Sequence, residues 1–497
     1  MRKARIHNIR GVWAATGLLL ALLMLSLPTG AQQPSNSDTS GQQAQSEEPI
    51  PAYHSPYASA SADEDTNQGS QGSSVDNRPL SGSQYVSAGN MTNNRSYWQP
   101  RFQISGTGDS NPAESTGNAN WGTWASFVAG ADIRHTSGTS DTMLSYTGGE
   151  MRSSEANVAN GTLQELGVSE KLSLRRSVLS LLDQLSYLPQ ASLGFGGIGG
   201  LPLTDAGATG LGPGFTTGQS ILTGQGENLN NSSVVQLETF LTPRSSITMA
   251  GAYSLQHYFA NNLIDSGDIT FQGGYNYELT RHDTLAAIYS FSDFRYSSLS
   301  ETVYSHSAQL SYGRVVTGRL AFQAAAGPQI VVFNLGSGLA GGTGGTSGAS
   351  NFSTTKAYWT LNSALNYQYQ RMNLGLTYWH GVGAGSGVLA GSSTDTVTGT
   401  LTRQMSRLFA SGFSAGFSRN STLPVFNGPA TTRSFDYWFA GANLQHPIFE
   451  TLALSFAYQM QYQTTSSSFC IANSCGTSFL RHEVTVGLSW HQRPLLF

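Results

Sequence analysis

Charge is scarce in this chain. Only 11% of its 497 residues are Asp, Glu, Lys or Arg, and the formal net charge is −4. That excludes the densely charged surface of an ordinary cytosolic protein and the basic face that a nucleic-acid partner requires. After the N-terminus no apolar run is long enough for a spanning helix, which excludes a helical membrane bundle. Cysteine is nearly absent: Cys470 and Cys475 are the only two. So few exclude a disulfide scaffold, and their spacing is not Cys-x-x-Cys and has no further clustered ligands, so it does not fit a metal or dithiol redox site.

What the chain has is alternation, cleanest between Thr451 and Trp490. Leu452, Leu454, Phe456, Tyr458, Met460 and Tyr462 alternate with Ala453, Ser455, Ala457, Gln459, Gln461 and Gln463. After a short loop, Leu480, His482, Val484, Val486, Leu488 and Trp490 alternate with Arg481, Glu483, Thr485, Gly487 and Ser489. Period two held this long is a strand between two different solvents. The pattern recurs in Ile269 to Thr280 and in Trp359 to Gln370. Strands are expected at 97–105, 122–136, 141–152, 162–174, 177–189, 233–242, 246–259, 268–280, 284–297, 302–315, 319–333, 356–370, 372–382, 394–405, 408–419, 433–447, 451–466 and 478–492. Tight connections such as Arg175-Arg176 and Pro243-Arg-Ser245 alternate with long ones at 190–232, 334–355, 420–432 and 467–477. Short periplasmic turns and long outer loops give that rhythm. The expected fold is all-β: a transmembrane antiparallel up-and-down barrel of about 18 strands, with 16 as the alternative.

The end of the chain carries a resemblance. Thr485-Val-Gly487-Leu-Ser-Trp490, followed by the terminal aromatic Phe497, resembles the C-terminal assembly signal of Gram-negative outer-membrane proteins. The resemblance implies handling by the barrel-assembly machinery. This sequence departs from the pattern at Gln492, where a second aromatic is expected, and at Pro494, which breaks the strand. The segment Asp183-Gln-Leu-Ser-Tyr-Leu-Pro189 before a long loop is similar to one in uncharacterised large barrels of soil bacteria. In general porins the loop after the fifth strand folds into the channel, and by that resemblance loop 190–232 is a candidate constriction. Its many glycines fit a mobile external loop equally well.

Three regions are expected. Residues 1–31 read as an export signal: Arg2, Lys3, Arg5 and Arg10, an apolar core from Val12 to Leu27, then small residues up to Ala31. Cleavage before Gln32 follows. Residues 32–95 hold too little apolar surface to offset the entropy of ordering, and read as a disordered periplasmic tail. Residues 96–497 form the barrel. The location is then the outer membrane, with lipid and lipopolysaccharide as partners; oligomeric state stays open.

Candidate functional residues are few. Asp132, Arg134, Glu165, Lys171, Glu238, Glu278, Arg403, Arg481 and Glu483 are placed on the polar, lumen-facing parity. There they either tune ion selectivity or brace neighbouring strands as ion pairs. Ser455 and Thr485, on the same wet face, are expected to accept arginine. Cys470 and Cys475 are expected to form a disulfide across a loop tip. His257, His306 and His482 fall on the lipid-facing parity near the outer rim, but no serine stands in a recognisable nucleophile motif. No enzyme, cofactor or metal is expected. A porin-like channel for small hydrophilic solutes is the favoured function, ahead of a closed structural or adhesive barrel and a membrane-embedded lipid hydrolase.

Overall fold

The computed structural model describes Ser96 to Phe497, apart from residues 113–120, 154–159, 190–226, 260–262, 297–300, 336–351, 384–390, 407, 424–433, 466–469, 472–473 and 476–477. The expected cleavage site at Ala31 and Gln32, the tail 32–95 and most of loop 190–232 lie outside the described residues.

Eighteen antiparallel strands form one closed sheet. They are β1 Tyr97–Asp109, β2 Gly122–Thr136, β3 Ser140–Arg152, β4 Gly161–Ser173, β5 Ser177–Leu188, β6 Asn228–Thr242, β7 Ser245–Tyr258, β8 Ser266–Glu278 and β9 Asp283–Tyr296. The second half is β10 Glu301–Thr317, β11 Leu320–Leu335, β12 Phe352–Tyr369, β13 Met372–Gly383, β14 Ser392–Gln404, β15 Ala410–Thr422, β16 Ser434–Phe449, β17 Leu452–Thr465 and β18 Phe479–His491. Each strand pairs with its neighbour in sequence, and β18 returns to β1 from Arg101↔His491 to Asp109↔Glu483. Closure leaves no long unpaired edge. The barrel has a turn end, with connections such as 243–244, 318–319 and 370–371, and a loop end bearing the long connections.

The alternation sorts the side chains onto two walls. Outward parity carries the large apolar residues, with Leu310 76%, Met249 61% and Phe271 58% exposed. Inward parity carries Ser, Thr, Asn, Gln and glycine, interrupted by charges. Outward aromatics gather towards the strand ends. Trp98, Tyr277, Tyr369 and Trp490 lie at the turn end, and Trp359 and Trp438 lie in the loop-end half.

The break at Pro494 is local. Gln492 N–H still donates to the Pro100 carbonyl at 3.0 Å, pairing resumes as Trp98↔Leu495 and Tyr97↔Leu496, and the Phe497 ring stacks beside His135. The break shifts the register by one residue, from Arg101↔His491 to Trp98↔Leu495, and that shift places the terminal aromatic on the outer wall at the turn end.

Candidate functional site: the barrel lumen

The inner wall is polar because period two forces alternate residues inward and the sequence supplies hydroxyls and amides there. Its charges are not spread evenly. Among the described residues, inward charges stand on β18 and β1 to β8: Arg101, Asp109, Asp132, Arg134, Asp141, Glu165, Lys171, Glu238, Asp268, Glu278, Arg481 and Glu483. From β9 to β17 the inward parity carries two charged positions, Lys356 on β12 and Glu301 at the loop-end tip of β10. One half of the lumen is charged and the other is nearly neutral.

On the charged half each arginine is tied to a carboxylate, and other carboxylates accept from hydroxyls. Arg134 grips Asp141 with both arms, Nε to Oδ1 at 2.8 Å and Nη2 to Oδ2 at 2.7 Å. Arg101 reaches Asp132 at 3.6 Å and donates to Ser145 Oγ at 3.2 Å. Glu238 accepts from Ser246 Oγ at 2.9 Å, and Asp268 from Thr270 Oγ1 at 3.1 Å. Arg481 sits across the closing seam, with Nη2 2.6 Å from Asp109 and 2.8 Å from Glu483. All three are buried. The seam is reinforced below by Thr107 and Thr485 hydroxyls 2.8 Å apart. Asp109 is a seam residue that the sequence reading missed. Continuing the alternation of Ser105 and Thr107 by one more step would have found it.

Arg403 is a correction. Its pairing opposite Met372 puts it on the parity of Val397 and Leu401, which is the outer wall. The inward residues of β14 are Thr394, Thr396, Thr398, Thr400 and Thr402. At the turn end an outward arginine can carry its guanidinium past the apolar band to the polar rim, so its charge does not mark the lumen. Thr485 is a second correction: it faces inward but is 5% exposed, so an arginine there has no open space to enter.

Towards the loop end the inner wall turns apolar. Trp124, Val128, Met151, Leu163 and Leu188 form one buried cluster on β2 to β5, and Tyr437, Phe439 and Phe479 another on β16 and β18. The largest joins Phe294, Tyr296, Val303, Val331, Phe333, Val382 and Leu423. It exists because β13 parts from β12 beyond Leu361↔His380 and bends over the inner wall. Gln329 holds it there: its amide nitrogen donates to the Val382 carbonyl at 3.1 Å and its oxygen accepts from Val382 N–H at 2.9 Å. Gly391, at φ 75°, closes the return into β14 with Leu423 Cδ1 only 3.0 Å from where a Cβ would stand.

The outer wall holds the three histidines singled out in the sequence and His380, whereas His491 faces inward opposite Arg101 and bonds to Gln99 at 3.2 Å. His257 bonds to Asp265 at 2.8 Å, His306 to the Tyr289 hydroxyl at 2.8 Å and His482 to the Tyr458 hydroxyl at 2.9 Å. His380, which sequence reasoning passed over, bonds to Asp395 at 2.6 Å and stacks on Trp359 at 3.8 Å. The ring partners of these four are carboxylates and phenols rather than serines; the serine that does meet a histidine ring is Ser96, whose Oγ lies 3.3 Å from His135 Nδ1 at the turn end. Asp183 also faces outward, accepting from Asn231 Nδ2 and Ser233 Oγ, each at 2.9 Å. Cys470 pairs with Cys475 in a two-strand bridge at the tip of the last long loop. No group of three or more His, Cys, Asp and Glu that could hold a metal occurs among the described residues, and no described helix is long and apolar enough to cross a membrane.

No known family model matches the chain, and no curated protein does. Solved structures similar in outline include OccAB3 of Acinetobacter baumannii, 9% identical over 80% of this chain and 99% of that one, with a TM-score of 0.39. The outer membrane protein opdK of Pseudomonas aeruginosa is 9% identical over 80% of this chain and 99% of its own, TM-score 0.37. The ferric-catecholate import receptor Fiu of E. coli K12 is 8% identical over 81% and 82%, TM-score 0.40. Likenesses this distant transfer nothing about cargo, and the reading below rests on this chain's own geometry.

Proposed function

We propose that the chain is an outer-membrane channel that passes small hydrophilic solutes and ions with weak selectivity. One observation carries this reading: a closed 18-strand barrel presents its leucines, phenylalanines and methionines outward and its hydroxyls, amides and paired charges inward. Leaving each large apolar side chain in water forgoes about 1.5–3 kcal/mol, so the outer wall belongs in lipid. Eighteen strands enclose more width than side chains alone fill, and a polar wall around that width holds water. The export signal and the C-terminal resemblance support the outer membrane as the location, and the barrel-assembly machinery as the partner during biogenesis.

The three apolar clusters at the loop end favour a second reading, a structural or adhesive barrel closed at its outer mouth. Planar-bilayer recording separates the two. Refolded mature protein should conduct as a water-filled pore, and deleting 190–226 or 32–95 should raise the conductance if either segment obstructs it. A heat-modifiable, folded barrel silent in all three forms supports the closed barrel instead.

A further inference from the structure

We infer that the nearly neutral half of the lumen is a docking path for uncharged polyhydroxylated solutes, sugars and sugar-like alcohols, centred on Trp379 and the threonine ladder of β14. The inference rests on the channel reading and names its substrate class.

The first support is the segregation of charge. A carboxylate only accepts hydrogen bonds and a guanidinium or ammonium only donates, whereas a hydroxyl or carboxamide does both. A solute made of hydroxyl groups must exchange bonds to water for bonds to wall, in whichever sense each group presents. The β9 to β17 wall meets that need with Ser, Thr, Asn and Gln, and its charged positions are Lys356 and, at the loop-end tip of β10, Glu301.

The second is the ladder. β14 sends a threonine inward at each alternate position from 394 to 402, so hydroxyls recur at about 6.6 Å along the wall. The hydroxyls are linked sideways: Thr398 to Thr377 on β13, and Thr396 to Ser418 on β15 at 3.2 Å. The loop-end rung, Thr394, is buried, while Thr377 and Thr400 are exposed on the inner face. The open rungs therefore face the lumen below the loop-end apolar clusters.

The third is Trp379. It stands on the inner face of β13 in register with Asn362 and Thr396. Its indole lies along the strand over Gly381 and Gly383, where an added Cβ would be 3.2 Å from Cζ2 and 3.5 Å from Cη2. A side chain at Gly381 would press on the ring, while one at Gly383 would meet it at ordinary contact distance. Standing on the inner wall, the indole offers an electron-rich face to the C–H face of a sugar ring, beside hydroxyls that bind the ring's edge.

The test uses the refolded mature chain in a planar bilayer carrying KCl current, with maltotriose as probe. Maltotriose should interrupt the current saturably. Trp379→Ala, and separately the volume-conserving set Thr396→Val, Thr398→Val and Thr400→Val, should each weaken that block by about tenfold or more. Val397→Ala, on the opposite face of the same strand, should keep the wild-type block and controls for folding. Ionic current with no saturable block, or a block that survives both inward changes, overturns the inference while leaving the channel reading standing. A folded barrel without current overturns both.

Discussion

Breaking the seam at Arg481 gives the sharpest test of how this barrel is held shut. β1 and β18 are the two ends of the sheet, and Arg481 joins them near the loop end by contacting Asp109 of β1 and Glu483 of its own strand at 2.6 and 2.8 Å. Asp109 is fully buried, and Arg481 and Glu483 are each 5% exposed. Replacing Arg481 by Met keeps most of the packing but leaves two buried carboxylates facing each other without a cation. Removing one partner of a buried pair costs about 3–5 kcal/mol, whereas replacing the whole set by neutral groups of similar shape is close to neutral. Arg481→Met should therefore lower the urea midpoint of the folded, heat-modifiable form and speed its unfolding. Adding Asp109→Asn and Glu483→Gln should recover most of the loss. The assay is unfolding of the mature protein in detergent micelles, followed by gel mobility without heating. Equal midpoints for Arg481→Met and wild type, or a triple variant no more stable than the single one, would refute the account of the seam as a buried, mutually dependent set.

The wall assignment predicts that Leu454→Arg and Val486→Arg cut the yield of folded barrel, because an outward arginine near the middle of the apolar band costs about 2–4 kcal/mol. Thr400→Arg, inward and exposed, should fold normally, and equal yields from all three would reject the assignment. Thr485→Arg should now fail as well, since Thr485 is buried against Thr107. Cys470 and Cys475 should be oxidised in protein taken from the outer membrane, because directly paired antiparallel residues place their Cα atoms at a separation a disulfide spans; two thiols alkylatable without reductant would count against it. Intact mass of the same sample should begin at Gln32, and retention of residues 1–31 would show that the signal is not cleaved there.

Much of this architecture is local and was legible in the sequence. Each strand's faces follow from its own alternation, so the eighteen strands, the turn-and-loop rhythm and the outward placement of Leu454, Tyr458, Val486 and Trp490 needed no knowledge of neighbours. Arg403 shows that a charge does not by itself mark the wet face: its own strand, with Thr398, Thr400 and Thr402 inward, places it outside. Counting Arg403 as inward hides the near-neutrality of the β9 to β17 wall. Which residues meet across strands is a different matter, because it depends on register and closure. The pairing of Asp109 with Arg481, 372 positions apart, exists only once β18 returns to β1 in its particular register. The bend of β13 over the inner wall was equally unreadable, since it depends on Gln329 of β11 reaching backbone groups of Val382 past the intervening strand. Alternation says which wall a side chain belongs to; only the closed sheet decides what stands beside it.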